Sequence, residues 1–241
     1  MKGAKLKVLG TAAKWLFILC LPILLLTASL GWAVNSLWLY KYGFQKYGVS
    51  QKLADSGLKL SGSELEKVYA GLISYFNSNE EYVATTVVKD SKPFKLFTPE
   101  EVIHFRDVKG LIWLDYYLLL GTLVYALGYA GVCFTWRKYR YWRRLAWEVV
   151  GGVGITLALM LALGLGIILN FDQLFLQFHL LSFSNEFWSA EGYMLLLFPE
   201  GFFYDATMFC ALATTGLAII LGVAAGSYLV LTRSNATLTK L

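Results

Sequence analysis

The sequence predicts an all-α polytopic membrane protein: four transmembrane helices, a small α+β extracytoplasmic cap, and an interfacial aromatic helix or loop. Three observations carry that reading. Of the 241 residues, 57% are hydrophobic and 15% charged, and the mean hydropathy is +0.56, well on the apolar side of a soluble domain. Four apolar runs are long enough to cross a hydrocarbon layer of about 30 Å, and short basic blocks lie at their ends, as topology signals do. A fifth run, Phe171 to Asp205, is as apolar but is broken by Asp172, His179, Asn185, Glu186, Glu191, Pro199, Glu200 and Asp205. Charged groups are costly in hydrocarbon, so this run is expected at the interface, in contact with lipid and water together.

The formal charge of +5 reports orientation rather than a nucleic-acid partner, because the basic residues sit at the ends of apolar runs and form no extended face. Cys20, Cys133 and Cys210 lie inside apolar runs without CxxC spacing, so they read as small buried hydrophobes rather than disulfide partners.

The elements follow in order. Residues 1–36 give a Lys-rich cytoplasmic N-terminus and a first span, read as a retained signal anchor with Pro22 inside it and Trp32, Trp38 and Tyr40 marking the far interface. Residues 37–109 turn mixed in composition and form the extracytoplasmic cap. Within it, SELEKVYAGLISYFNS places Leu65, Val68, Leu72, Ile73 and Phe76 at helical spacing, with Ser63 and Glu66 as a capping box. Tyr82 to Val88 and Phe94 to Phe97 are β-prone on either side of Lys89 to Pro93 and predict a short hairpin. Thr98, Pro99 and Glu101 mark the start of another helix, with Thr98 as N-cap and Glu101 closing a second capping box.

That helix carries His104 into a second span, 110–136, followed by a basic cytoplasmic loop, 137–148. A glycine-rich third span, 149–169, suits close backbone packing. The outer interfacial loop is 170–205, the fourth span 206–231, and the cytoplasmic tail 232–241. The positive-inside rule puts both termini in the cytoplasm and both longer loops outside.

This topology places the two histidines of the chain, His104 and His179, on the outer face, each close in sequence to a span. An interfacial histidine can be merely structural. However, Glu100 and Glu101 lie one turn before His104 and Asp107 one turn after, so a carboxylate can hold one ring nitrogen and free the other as a base. If the Phe171 segment is helical, Asp172, His179, Ser182 and Glu186 share a stripe; a solvated stripe explains the acids well and the lone histidine less well. Three chemistries are open. His can act as general base while Asn185, the Trp188 indole or backbone amides hold an oxyanion. Ser182 could be a nucleophile beside His179, though no GxSxG elbow is present. Zinc is poorly supported, because no HExxH or similar ligand pair occurs.

LFTPEEVIHFRDVKG before the second span, with FHLLSFSNEFW and LLLFPEGFFYD before the fourth, resembles the bacterial integral membrane family that contains the lipoprotein intramolecular transacylases. The likeness extends over nearly the whole chain. Where the family pattern has a Leu-Asp-Pro-like turn, this chain has Ser189-Ala190-Glu191. The resemblance implies that His104 and His179 are catalytic, and we read them as a general base and general acid pair with the two roles unassigned; Glu101 and Asp107 are expected to support or orient. It places Asn185, Trp188, Pro199, Glu200 and Asp205 in the pattern of the last outer loop, and we read Asn185, Trp188, Glu200 and Asp205 as oxyanion or substrate-positioning groups. It implies an acyltransferase of the bacterial plasma membrane, with its active site outward. Its substrate would be a diacylated lipoprotein, whose sn-2 acyl chain moves to the α-amino group of the same cysteine. No metal or cofactor is expected, and the chain is expected to act as a monomer among membrane lipids. The alternatives are a non-enzymatic lipid-binding or assembly protein, or a serine or zinc lipid hydrolase at the same site.

Overall fold

The computed structural model describes residues 2–135 and 139–238, so Trp136, Arg137 and Lys138 of the basic loop and the last residues of the tail lie outside the described residues. Among the described residues four helices are long and apolar enough to cross a membrane: α1 (Lys2–Asn35), α5 (Pro99–Thr135), α6 (Tyr139–Ser182) and α8 (Glu200–Leu238). Helix α1 runs on through Pro22. At 1.5 Å per residue the 37 residues of α5 extend roughly 55 Å, far beyond about 30 Å of hydrocarbon. Its first turns bear Glu100, Glu101, Arg106, Asp107 and Lys109, so we read the crossing as beginning near Leu111.

The chain divides into two compact units. One comprises residues 1–30, 115–165 and 210–241. Its core includes Phe17, Leu21, Ala126, Cys133 and Leu145, while Val124, Leu127, Ile220 and Val230 face outward, as suits a lipid solvent. Within this unit the Thr214 hydroxyl donates to Ser29 Oγ, and Glu148 accepts from Tyr129 and Arg144. The Thr214–Ser29 and Tyr129–Glu148 bonds join helices that have no hydrophobic drive to associate in lipid, whereas Arg144 supports Glu148 from its own helix.

The second unit, residues 31–114 and 166–209, carries the shorter elements. Helices α2 (Leu37–Lys46) and α3 (Val49–Asp55) occupy a stretch for which composition predicted no particular structure. Helix α4 (Gly62–Phe76) is capped by Ser61 and Glu64 in a reciprocal box, not by Ser63 and Glu66. Both S-x-x-E spacings are present in SGSELE; Glu66 is used instead to pair with Lys41 at 2.7 Å. The hairpin is shorter than its β-prone flanks: β1 (Thr86–Lys89) pairs antiparallel with β2 (Lys92–Lys95) across Asp90-Ser91. Both turn residues have φ near +50 to +63°, as a two-residue hairpin turn demands. Tyr69 stacks on Phe44 and meets Tyr40 and Phe198, and its hydroxyl donates to the Leu197 carbonyl, tying α4 to α7 (Tyr193–Leu197).

Helix α6 is one element broken at Asn170, whose backbone (φ −163°, ψ 81°) is not helical. The Asn170 Oδ1 accepts from the Gln173 amide at 3.1 Å, so the residue acts as an internal N-cap and restarts the helix in a new direction. The restarted piece ends at Ser182, which leaves Glu186 beyond the predicted stripe.

Candidate active site

Both histidines belong to the second unit and meet there. Their ring centroids are 6.3 Å apart and the planes are inclined by 26°. His104 comes from the second turn of α5, a helix started by Thr98, whose hydroxyl accepts the Glu101 amide while Glu101 returns a carboxylate to the Thr98 amide. His179 comes from the restarted half of α6. Both side chains are more than nine-tenths buried, at 7% and 6% exposure.

The surroundings of the pair are aromatic. Phe183 stands edge-on to His104 at 4.8 Å, and Phe175, Phe178, Phe183 and Trp188 surround His179 at 4.2, 5.3, 5.5 and 4.8 Å. These phenylalanines read in the sequence as filler of an amphipathic face. The signal was there, since Phe175, His179 and Phe183 repeat every four residues on one helical stripe.

His179 Nδ1 lies 2.8 Å from the Phe175 carbonyl oxygen, which can only accept. The proton is therefore on Nδ1, and Nε2 carries the free lone pair. The Nδ1 of His104 is buried and makes no hydrogen bond. Burial in this apolar wall lowers the basicity of both rings: His104 is pushed down to about 4, first by desolvation and then by the neighbouring His179. His179 is also lowered by desolvation, partly offset by its bond to Phe175.

The expectation that Glu101 or Asp107 orients the His104 ring is corrected, because neither carboxylate bonds to it. Glu101 is fully buried and spends both oxygens on backbone amides, Oε2 on Thr98 at 2.9 Å and Oε1 on Met194 at 2.6 Å. Its carboxyl is raised above the usual range by desolvation, against which the two amides pull downward. Asp107 accepts Arg106 at 3.3 Å and the Asn185 side-chain amide at 2.9 Å. The helical spacing correctly put both acids one turn from His104; it could not reveal that a loop some eighty residues later would claim their oxygens.

Asn185 in turn accepts the Phe187 amide at 3.1 Å, opening the 3-10 turn Phe187–Ser189 that carries Trp188 onto His179. Glu200 and Asp205, the two acids of the outer loop expected to position substrate, are engaged elsewhere. Glu200, at the start of α8, neighbours Asp172, and desolvation together with that carboxylate raises its own carboxyl. Asp205 accepts Lys46 at 2.7 Å and Tyr47 at 2.8 Å, fastening α8 to α2. Among the described residues no group of three His, Cys, Asp or Glu side chains is arranged to hold a metal.

Residues 15–203 match the family model described as lipoprotein intramolecular transacylase Lit. Among solved structures, the membrane integral lipoprotein intramolecular transacylase of Bacillus cereus is 21% identical, with a TM-score of 0.77, covering 95% of this chain and 99% of that one. A form of the same Bacillus cereus protein with a histidine-to-alanine mutation is 20% identical over 97% and 99% of the two chains, with a TM-score of 0.73. One with a histidine-to-arginine mutation is 21% identical over 98% and 100%, with a TM-score of 0.70. Curated proteins give no match.

Proposed function

The chain belongs to the lipoprotein intramolecular transacylase family, and from that premise we propose that its histidine pair carries the acyl transfer. The enzyme moves the sn-2 acyl chain of a diacylglyceryl-modified N-terminal cysteine onto the α-amino group of that cysteine, leaving a lyso-form lipoprotein. A C–N bond forms and the ester C–O bond to glycerol breaks. The ammonium group loses two protons, of which one ends on the glyceryl oxygen and the other in water.

The observation that supports this assignment best is the unprotonated Nε2 of His179, held bare by the bond from Nδ1 to Phe175. It is the group suited to take a proton from the attacking amine and return it to the departing oxygen. His104 is neutral at physiological pH, so it acts as a hydrogen-bond donor to the developing oxyanion rather than as a cationic acid. Trp188, whose indole N–H makes no hydrogen bond among the described residues, offers a second donor beside His179. Asn185 positions that tryptophan, and Glu200 and Asp205 act by fixing the start of α8. Because nucleophile and ester belong to one molecule, holding them close supplies much of the rate. Ser182 needs no role, since the amine is itself the nucleophile. Both termini are cytoplasmic in this reading, and the histidine pair faces outward, where the basic blocks of the sequence place it.

The test is mass spectrometry of the N-terminal lipopeptide of a reporter lipoprotein, with fragmentation to separate N-acyl from O-acyl. His104→Ala and His179→Ala should each abolish the N-acyl product while the protein still inserts and unfolds at its usual temperature. The double variant should lose little more than either single, as groups acting as a unit do. Ser182→Ala should stay active. A near-normal rate in either histidine variant defeats the assignment; a dead Ser182→Ala replaces it with an acyl-serine route.

A further inference from the structure

The segment from Asn185 to Met194 hangs from three anchors, and two of them are the carboxylates that flank His104. Asp107 Oδ2 accepts the side-chain amide of Asn185 at one end. Glu101 Oε1 accepts the Met194 backbone amide at the other. Between them Lys89 of the hairpin donates to the Tyr193 hydroxyl at 3.2 Å, and Phe94 meets the Tyr193 ring edge-on. A side chain at Gly192 would collide with the Glu101 carboxylate, so the loop lies flush on that anchor. The centre of the segment, Trp188, rests on His179.

Phe175 and Phe178 ride on the same helix as His179 and Phe183 follows it directly, whereas Trp188 comes from a separately fastened stretch. We infer that Asp107 and Glu101 are positioning residues: they clasp the 185–194 loop so that Trp188 holds the His179 ring in its productive orientation. The hairpin is the third point of that clasp. This inference rests on the acyl-transfer reading above. It gives the acids near His104 a task that their occupied oxygens allow, whereas proton transfer at the reacting centre is closed to them. Charge-assisted bonds of this kind are among the stronger ones available to a loop, and a misplacement of about 1 Å at a reacting group can cost on the order of 100-fold in rate.

The Asp107 and Asn185 pair offers a polarity exchange. Asn185→Asp sets two carboxylates against each other and should lower the rate of N-acyl product formation about 10- to 100-fold, as loss of a charged hydrogen bond does. The change should fall on kcat more than on KM. Adding Asp107→Asn restores an amide facing a carboxylate, with the roles reversed, and should recover most of the loss. In a Trp188→Ala background, Asn185→Asp should cost little further, because its effect runs through that ring; a merely structural defect would add in both backgrounds. If Asn185→Asp does not insert, Asn185→Ala removes the bond without the repulsion and should show the same loss. Full activity of an inserted Asn185 variant, absence of recovery in the exchanged pair, or full additivity with Trp188→Ala overturns the clasp. Absence of N-acyl product from the unaltered enzyme would instead overturn the acyl-transfer reading itself.

Discussion

Because the Phe175 carbonyl can only accept, its 2.8 Å contact with His179 fixes the proton on Nδ1 and leaves Nε2 as a base at any pH where the ring is neutral. Desolvation lowers both histidines below the ordinary value, His104 to about 4, so neither gains a proton near neutrality. The substrate amine, with a pKa of about 7.7–8.0, is then the group that titrates. Single-turnover rates in detergent should rise about tenfold per pH unit below roughly 7.5 and level off above about 8. No falling limb is expected between pH 7 and 9; a bell with its alkaline limb there would mean that an imidazolium donates the proton and would reverse the roles given to His104. At this scale the sequence revealed the two histidines and the two acids beside His104, because helical spacing says which residues share a face. It did not reveal that Glu101 and Asp107 face a loop rather than the ring. Competition for a lone pair is decided by what a distant segment brings, and no local pattern encodes that.

Elements were legible where a local signal was complete. Thr98 with Glu101 announced α5 and formed as expected. Ser61 and Ser63 each have a glutamate three residues on; the box forms on Ser61 and Glu64, while Glu66 pairs with Lys41 at the surface, and the local pattern does not choose between the two. Helices α2 and α3 escaped because their stretch has mixed composition and no starting cap; Ser36 and Gly48 precede them without a side-chain cap bond. Hydropathy ends the third span at Leu169, whereas the helix restarts at once beyond Asn170 in another direction. That restart aims His179, so Asn170→Ala should remove a cap worth about 1 kcal/mol and let the helix run straight. We expect N-acyl transfer to fall at least severalfold in inserted protein, and Asn170→Asp or Asn170→Ser, which can also cap, to retain most of it. If Asn170→Ala were fully active, the bend would have to be set by packing instead, through Phe171 on Tyr204 and Leu174 against Gly166.

For the whole molecule, hydropathy sufficed to count four spans, since a run that must satisfy its backbone internally in lipid has few alternatives to a helix. Orientation rests on a different term, the placement of Lys and Arg. The N-terminal lysines, the block from Arg137 to Arg144, and Arg233 with Lys240 fall on one side when the chain is threaded through four crossings. The residues between Asn35 and Pro99 and those between Ser182 and Glu200 then fall together on the other. In the orientation proposed above that second side is the outer one, where the N-terminus of an exported lipoprotein lies. Single cysteines at Lys59 and at Ser189, both exposed positions, should react with an impermeant thiol reagent added to intact cells, and one at Tyr139 should react only after lysis. The three native thiols are at most 8% exposed and should contribute little background. Labelling at Tyr139→Cys alone would turn the protein over and place the histidine pair in the cytoplasm, away from its substrate. Labelling at Lys59→Cys but not at Ser189→Cys would break the four-span threading, because α6 and α8 could not then return to the side from which α5 departs.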